Sequence, residues 1–179
     1  MTNKKILTYE VASAVFDKER RAGRRIVQCH GTFDLVHPGH IIHLEEARAL
    51  GDLLVVTVTD EKHVNKGPGR LCFNDGLRTR MLAALECVHY VVLIPFSAAV
   101  EAIRLVKPDV YCKGTEYEHA SNDVTGNIHD DLSEVRHHGG EVRYIGSVVF
   151  SSTRLLNRQF FAFPICRNAR FAFQQKTKK

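Results

Sequence analysis

His37 and His40 stand three residues apart in the run Gly31-Thr32-Phe33-Asp34-Leu35-Val36-His37-Pro38-Gly39-His40. One helical turn apart, they project to the same side, and imidazole N–H groups are suited to donating to phosphate oxygens. The apolar run Arg25 to His30 before them reads as a strand, and the amphipathic run Ile41 to Leu50 after them reads as a helix. Pro38 stands near the first helical position, where a missing N–H costs nothing. The stretch is therefore a strand-to-helix turn, and the N-terminus of its helix offers N–H groups and a positive dipole end to an anion. Small residues at the turn, with Pro38 and Gly39 between the histidines, keep the space there narrow. The implied chemistry is phosphate binding, with His37 and His40 as donors and Asp34 as a cap of the turn. The competing reading is a tight turn whose histidines only cap a helix.

The elements that must position this turn follow from hydrophobic period. Tyr9 to Arg21 carries helical spacing and is closed by Gly23. Asp52 to Thr59 is an almost continuous apolar run rich in β-branched residues, as suits a strand buried on both faces. A helix closing over Leu82 to Cys87, a strand Tyr90 to Ile94, a helix Ala98 to Val106 and a strand Asp109 to Cys112 come next. A helix Asn127 to His138, a strand Glu141 to Ile145 and a last helix from Ser151 complete the alternation. Alternating strands and helices predict an α/β, Rossmann-like parallel sheet of five strands flanked by helices over residues 1–158, with ligands at the carboxyl ends of the strands.

Those strand ends carry groups that a triphosphate needs. Lys66-Gly67-Pro68-Gly69-Arg70 follows the second strand, Lys113-Gly114-Thr115 follows the fourth, and Ser151-Ser152-Thr153-Arg154 opens the last helix. Each alone reads as a solvated turn; their convergence on one sheet edge with the histidine turn reads as a site. The polar segment 113–124 reads either as a mobile lid or as an ordinary surface loop.

Composition narrows the partners. The chain of 179 residues is 44% hydrophobic and 25% charged, as a globular domain is. The formal net charge is +5, but Arg167, Arg170, Lys176, Lys178 and Lys179 all lie beyond residue 158, where no acid stands. The remaining 20 Lys and Arg balance the 20 Asp and Glu, so residues 1–158 are formally neutral. That argues against a nucleic-acid-binding face on the domain. No apolar stretch is long enough to span a bilayer, and no signal-type h-region stands at the N-terminus. Five cysteines without a C-x-x-C pair suit free thiols in a cytoplasmic setting. Residues 159–179, with five of the 10 phenylalanines, read as a basic tail outside the domain.

The run G-T-F-D-x-x-H-x-G-H after a first strand resembles the signature of the cytidylyltransferase-like nucleotidyltransferases, and the likeness extends over residues 25–157. It implies the HxGH nucleotidyltransferase fold and a nucleotide site formed by Gly31, Thr32, Phe33, His37, Gly39, His40, Lys113, Gly114, Ser151, Ser152 and Thr153. By the same likeness Lys66 and Arg80 contact nucleotide and acceptor phosphates, and His37, His40 and Lys66 carry catalysis. The Lys-Gly-x-x-Tyr stretch at Lys113 and the Gly139-Gly140-Glu141-Val142 stretch look most like the nucleotidyltransferase domain of ADP-heptose synthase. They look less like glycerol-3-phosphate cytidylyltransferase, whose Arg-Thr pair is missing here. The implied reaction transfers AMP or CMP from ATP or CTP to a phosphorylated sugar or polyol, with Mg²⁺ on the triphosphate and a homodimer as a compatible assembly. Adenylate-forming ligation and a non-catalytic nucleotide-binding remnant are the alternatives. Leu71, Gly76 and His89 depart from the family pattern, and none of them is a phosphate ligand in it.

Overall fold

The computed structural model describes residues 4–64, 71–117 and 128–146, all within the unit Met1–Val149. Lys66, Ser151, Ser152, Thr153 and the tail lie outside the described residues. The elements in chain order are β1 (Ile6–Leu7), α1 (Tyr9–Arg21), β2 (Ile26–Gly31), α2 (Pro38–Arg48), β3 (Leu53–Thr59), α3 (Asp75–Ala83), β4 (Tyr90–Ile94), α4 (Ala99–Val106), β5 (Val110–Gly114), α5 (Ile128–His137) and β6 (Glu141–Ile145).

The strands form one sheet in the order β1-β4-β3-β2-β5-β6, and every pair is parallel. Among the described residues six strands therefore stand where the hydrophobic pattern predicts five. The added one, β1, is only two residues long, too short to leave a periodic signal, and it exists because Ile6 and Leu7 pair with Val91 and Val92. The α3 prediction also shifts. The helix begins at Asp75, where the Asn74 side chain accepts from the Leu77 N–H at 3.0 Å, and it ends at Ala83. Gly76 thus falls inside a capped first turn, where the cap offsets part of its helix cost.

Side-chain alternation sorts the core into two layers. Val27, Cys29, Leu54, Val56, Val58, Val110 and Cys112 pack against Leu44 and Ala47 of α2 and Leu82 and Ala83 of α3. Ile26, Val55, Val92 and Ile94 face Ala12 and Phe16 of α1 and Ala102 and Val106 of α4 on the other side. Tyr111 continues that second face toward Ile103 of α4 and Val135 of α5. All seven residues of β3 are buried, as a central parallel strand covered on both faces requires.

The order reverses at β2. From it the chain winds outward through β3 and β4, then returns to place β5 on the other side. The crevice between the carboxyl ends of β2 and β5 is the switch point at which open parallel sheets bind ligands. Gly31 ends β2 and Gly114 ends β5, so the sheet topology alone brings the histidine turn and the Lys113 segment together.

Candidate active site

β2 delivers Gly31 to the crevice, and the chain then turns sharply through Phe33, which adopts the left-handed region at φ 47°. That conformation is unusual for a bulky side chain. It is held because the Phe33 ring is buried in the α2-side core and lies against Gly31, where a Cβ would approach the ring to 3.2 Å. Asp34 is buried, and its carboxylate accepts from the backbone N–H of Cys72 at 2.7 Å and of Phe73 at 3.4 Å. The expectation of a local cap is corrected here: Asp34 ties the turn to the segment leading into α3, 38 residues away.

His37 is the N-cap of α2, and Pro38 occupies the first turn as predicted. The His37 Nδ1 accepts from the His40 N–H at 3.4 Å, so the ring proton resides on Nε2, a donor. The two imidazoles stack with centroids 3.8 Å apart, and His40 also meets the Phe33 ring at 5.3 Å. Burial lowers the His37 pKa, which keeps the ring neutral at physiological pH. A stacked pair of imidazoles at a helix N-terminus, with His37 neutral, is suited to stabilising charge that develops on phosphate oxygens.

His43, one turn further along α2, faces elsewhere. Its Nδ1–H donates to the Ile145 carbonyl at 3.3 Å, which leaves Nε2 to accept from the Cys29 thiol at 3.6 Å. It links α2 to the end of β6, just before Gly146, whose φ of 125° suits glycine.

Across the crevice, Lys113 projects to the α4/α5 face. Its ammonium lies 2.7 Å from the Asp131 carboxylate of α5 and over the rings of Tyr117 and Tyr111, at 5.3 and 5.8 Å. Asp131 is almost fully buried, and the Lys113 side chain keeps 18% of its surface exposed. The strand runs on through Lys113 and Gly114 to a short 3₁₀ turn at Thr115–Tyr117, so both residues belong to β5 and not to the loop predicted for them.

Arg80 is exposed on α3, beside Phe73, Leu77 and Met81. Arg78, about 200° round the helix from it, is fully buried. The Arg78 guanidinium donates to the carbonyls of Thr32 and Thr59, the latter at 2.8 Å, and pairs with Asp75. It fastens the histidine turn to the end of β3. The sequence reading passed over Arg78, although its helical spacing from Leu82 and Asp75 put it on the inward face. His89, where the family pattern has an acid, keeps an acceptor in place: its Nδ1 accepts from the Leu54 N–H at 3.2 Å.

Among the described residues no group of three or more His, Cys, Asp or Glu side chains could hold a metal ion, and no helix is long and apolar enough to cross a membrane.

Comparison with known proteins matches residues 28–158 to the cytidylyltransferase-like family. The chain is similar to the bifunctional protein HldE of Methylococcus capsulatus, 43% identical over 141 residues that cover 76% of this chain and 28% of that protein. It is 39% identical over 150 residues to HldE of Pseudomonas syringae, covering 83% and 30%. The chain thus spans less than a third of the length of these curated relatives, in agreement with the likeness to ADP-heptose synthase carried by Lys113 and the Gly139-Gly140 stretch. Among solved structures, the lipopolysaccharide core biosynthesis protein of Thermoplasma volcanium aligns with a TM-score of 0.57 and 26% identity, over 70% of this chain and all of that one. The pantoate-beta-alanine ligase of Francisella tularensis, 13% identical with a TM-score of 0.56 over 78% of this chain and 66% of that one, shares the fold. The family match runs from β2 through β6 and so takes in both the stacked histidines and the Lys113 strand; this chain belongs to the cytidylyltransferase-like family of nucleotidyltransferases.

Proposed function

We propose that this chain transfers a nucleotidyl group, AMP or CMP, from ATP or CTP to the phosphate of a phosphorylated sugar, releasing pyrophosphate. The observation that carries this reading is the stacked His37–His40 pair at the N-terminus of α2, facing the β2/β5 switch point. A phosphate oxygen of the acceptor attacks the α-phosphorus in line, the bond to the bridging oxygen of pyrophosphate breaks, and its electron pair leaves with pyrophosphate. The chain's part is positioning and charge stabilisation. His37 and His40 donate to phosphate oxygens as charge builds on the leaving side, and Lys113 neutralises the acceptor phosphate from the other side. Lys66, Ser151, Ser152 and Thr153 extend the phosphate contacts, and Arg80 is the further cation offered to the acceptor. Mg²⁺ on the triphosphate would neutralise charge there, held largely by phosphate oxygens.

The likeness to the HldE proteins and to a lipopolysaccharide core biosynthesis protein supports a sugar phosphate as acceptor. The test is pyrophosphate release by the full chain with ATP or CTP against hexose 1-phosphates, pentose phosphates and polyol phosphates. Release with a sugar phosphate is expected. Turnover confined to glycerol 3-phosphate with CTP, or to a carboxylic acid, overturns the choice of acceptor.

A further inference from the structure

His30, half-buried at the carboxyl end of β2, stands just outside the family motif, and the reaction described above does not use it. Its placement follows from register. His30 pairs with Thr57 of β3, Thr57 pairs with Val92 of β4, and Lys113 pairs with Tyr144 of β6. Extending the Cys29–Cys112 register by one residue sets His30 beside Lys113. Cys29 points into the α2-side core, so His30, its neighbour, points to the opposite face, the one Lys113 occupies. An in-line displacement needs its nucleophile and its leaving group on opposite sides of phosphorus. With pyrophosphate leaving toward α2, the acceptor enters on the side of His30 and Lys113.

The hydrogen bonds around His30 determine its tautomer. The Thr57 hydroxyl donates its single proton to the Cys29 carbonyl at 3.3 Å and accepts from the Gln28 amide at 3.0 Å. With its proton given to the Cys29 carbonyl, the hydroxyl accepts from His30, whose Nδ1 lies 3.0 Å away and carries the proton in this assignment. The His30 Nε2 is then an acceptor, bonded by the Thr59 hydroxyl at 3.3 Å. Burial and the Lys113 charge keep the ring neutral. In a neutral imidazole held in this way the Nε2 lone pair is occupied by the Thr59 hydroxyl, and a ligand hydroxyl would have to take over that bond. The lone pair favours a hydroxyl, which can donate, over a carbonyl or carboxylate oxygen, which cannot.

We propose that His30 is a specificity-determining residue for the acceptor: from between Thr57 and Thr59, on the Lys113 side of the crevice, it reads a hydroxyl of the acceptor close to the phosphate that Lys113 holds. This rests on the reading that Lys113 takes the acceptor phosphate. The ligand class is a polyhydroxylated phosphate monoester, and the hydroxyl either replaces Thr59 at Nε2 or donates to the Thr59 oxygen.

The experiment uses the full chain, His30→Gln and Thr59→Val, with the best acceptor from the pyrophosphate-release screen and its monodeoxy analogues. In the wild type one deoxy analogue should lose about tenfold in kcat/KM, the scale of one partly solvated hydrogen bond. In each folded variant the acceptor KM should rise by a similar factor, the preference over that analogue should collapse, and the nucleotide KM should stay within about twofold. A variant that melts cooperatively with an unchanged acceptor KM and an unchanged deoxy preference overturns the assignment. If no acceptor gives pyrophosphate, the proposed reaction fails, and the inference is judged by ¹⁵N-histidine NMR of the wild type titrated with glucose 1-phosphate and with inorganic phosphate. A His30 Nε2 resonance that moves with the sugar phosphate and not with inorganic phosphate supports it. A resonance indifferent to both, or one showing the proton on Nε2, overturns it.

Discussion

The two walls of the β2/β5 crevice are built differently. The α2 wall is local: Gly31, Phe33, His37 and His40 lie within ten residues, and their geometry comes from one turn and one helix N-terminus. The α4/α5 wall is assembled from afar: His30, Lys113 and Asp131 come from three elements and meet through strand register and one ion pair. The local wall holds stacked imidazole donors suited to charge that appears only during reaction. The distant wall holds a full charge and its counter-charge, suited to gripping a substrate that arrives charged. Substitutions on the first should therefore alter turnover, and those on the second should alter binding and stability.

The largest expected effect is on the α2 wall. His40→Ala should lower kcat by about two to three powers of ten, roughly 3–4 kcal/mol, because it removes a donor used mainly as charge develops. Its ring contacts with His37 and Phe33 are modest, so Tm should fall by less than about 4 °C. Measuring kcat and Tm on the purified variant checks both. A large loss of Tm with normal turnover per folded molecule would make His40 a structural cap and dissolve the contrast between the walls.

On the other wall, Lys113→Met should destabilise the chain by about 2–3 kcal/mol, since it takes away the ammonium that compensates the buried Asp131 carboxylate. Adding Asp131→Asn should recover most of that stability without restoring acceptor affinity. A double-mutant cycle in urea, read together with acceptor KM, separates the two roles. Additive stability losses would mean that the pair does not hold this wall together.

The smallest effect is a pH dependence. The His30 pKa is lowered to about 4 from an ordinary value near 6.5, with burial the larger cause and Lys113 the second. Between those values the unfolded chain binds a proton that the folded chain does not. The contribution of His30 is therefore complete above about pH 6.5 and drains away as pH falls toward 4. Allowing for the partial exposure of His30, the loss is roughly 2 kcal/mol. His37 drifts the same way, so the comparison must be wild type against His30→Gln. Urea titrations at pH 7 and pH 5 should give a smaller drop for the variant. Equal drops would mean that His30 takes up its proton within the folded chain.

Much of this was legible from residues alone. The span of α1, the bounds of β4 and β6, the position of Pro38 in α2 and the buried character of β3 all follow from period and end signals acting within a few residues. The histidine turn was legible for the same reason, because a helix N-terminus and a three-residue spacing are local facts. Arg78 gave no such signal: helix phase turns it inward to hold the Thr32 and Thr59 carbonyls, while Arg80, the position matched to the family, stays exposed.

What the sequence determined by itself, then, is the kind of chemistry: donors at a helix N-terminus, strands alternating with helices, and a family signature across β2 to β6. Which distant residues share the crevice was set by the packing of the folded chain. The Cys29–Cys112 register, continued by one residue, sets His30 beside Lys113, the fold of α5 brought Asp131 to 2.7 Å from that lysine, and the Asp34 carboxylate reached Cys72. The physical reason is that strand register and helix docking answer to the burial of whole faces. The period of a strand is two residues, so its own sequence says which face a side chain takes but not which neighbour will stand next to it.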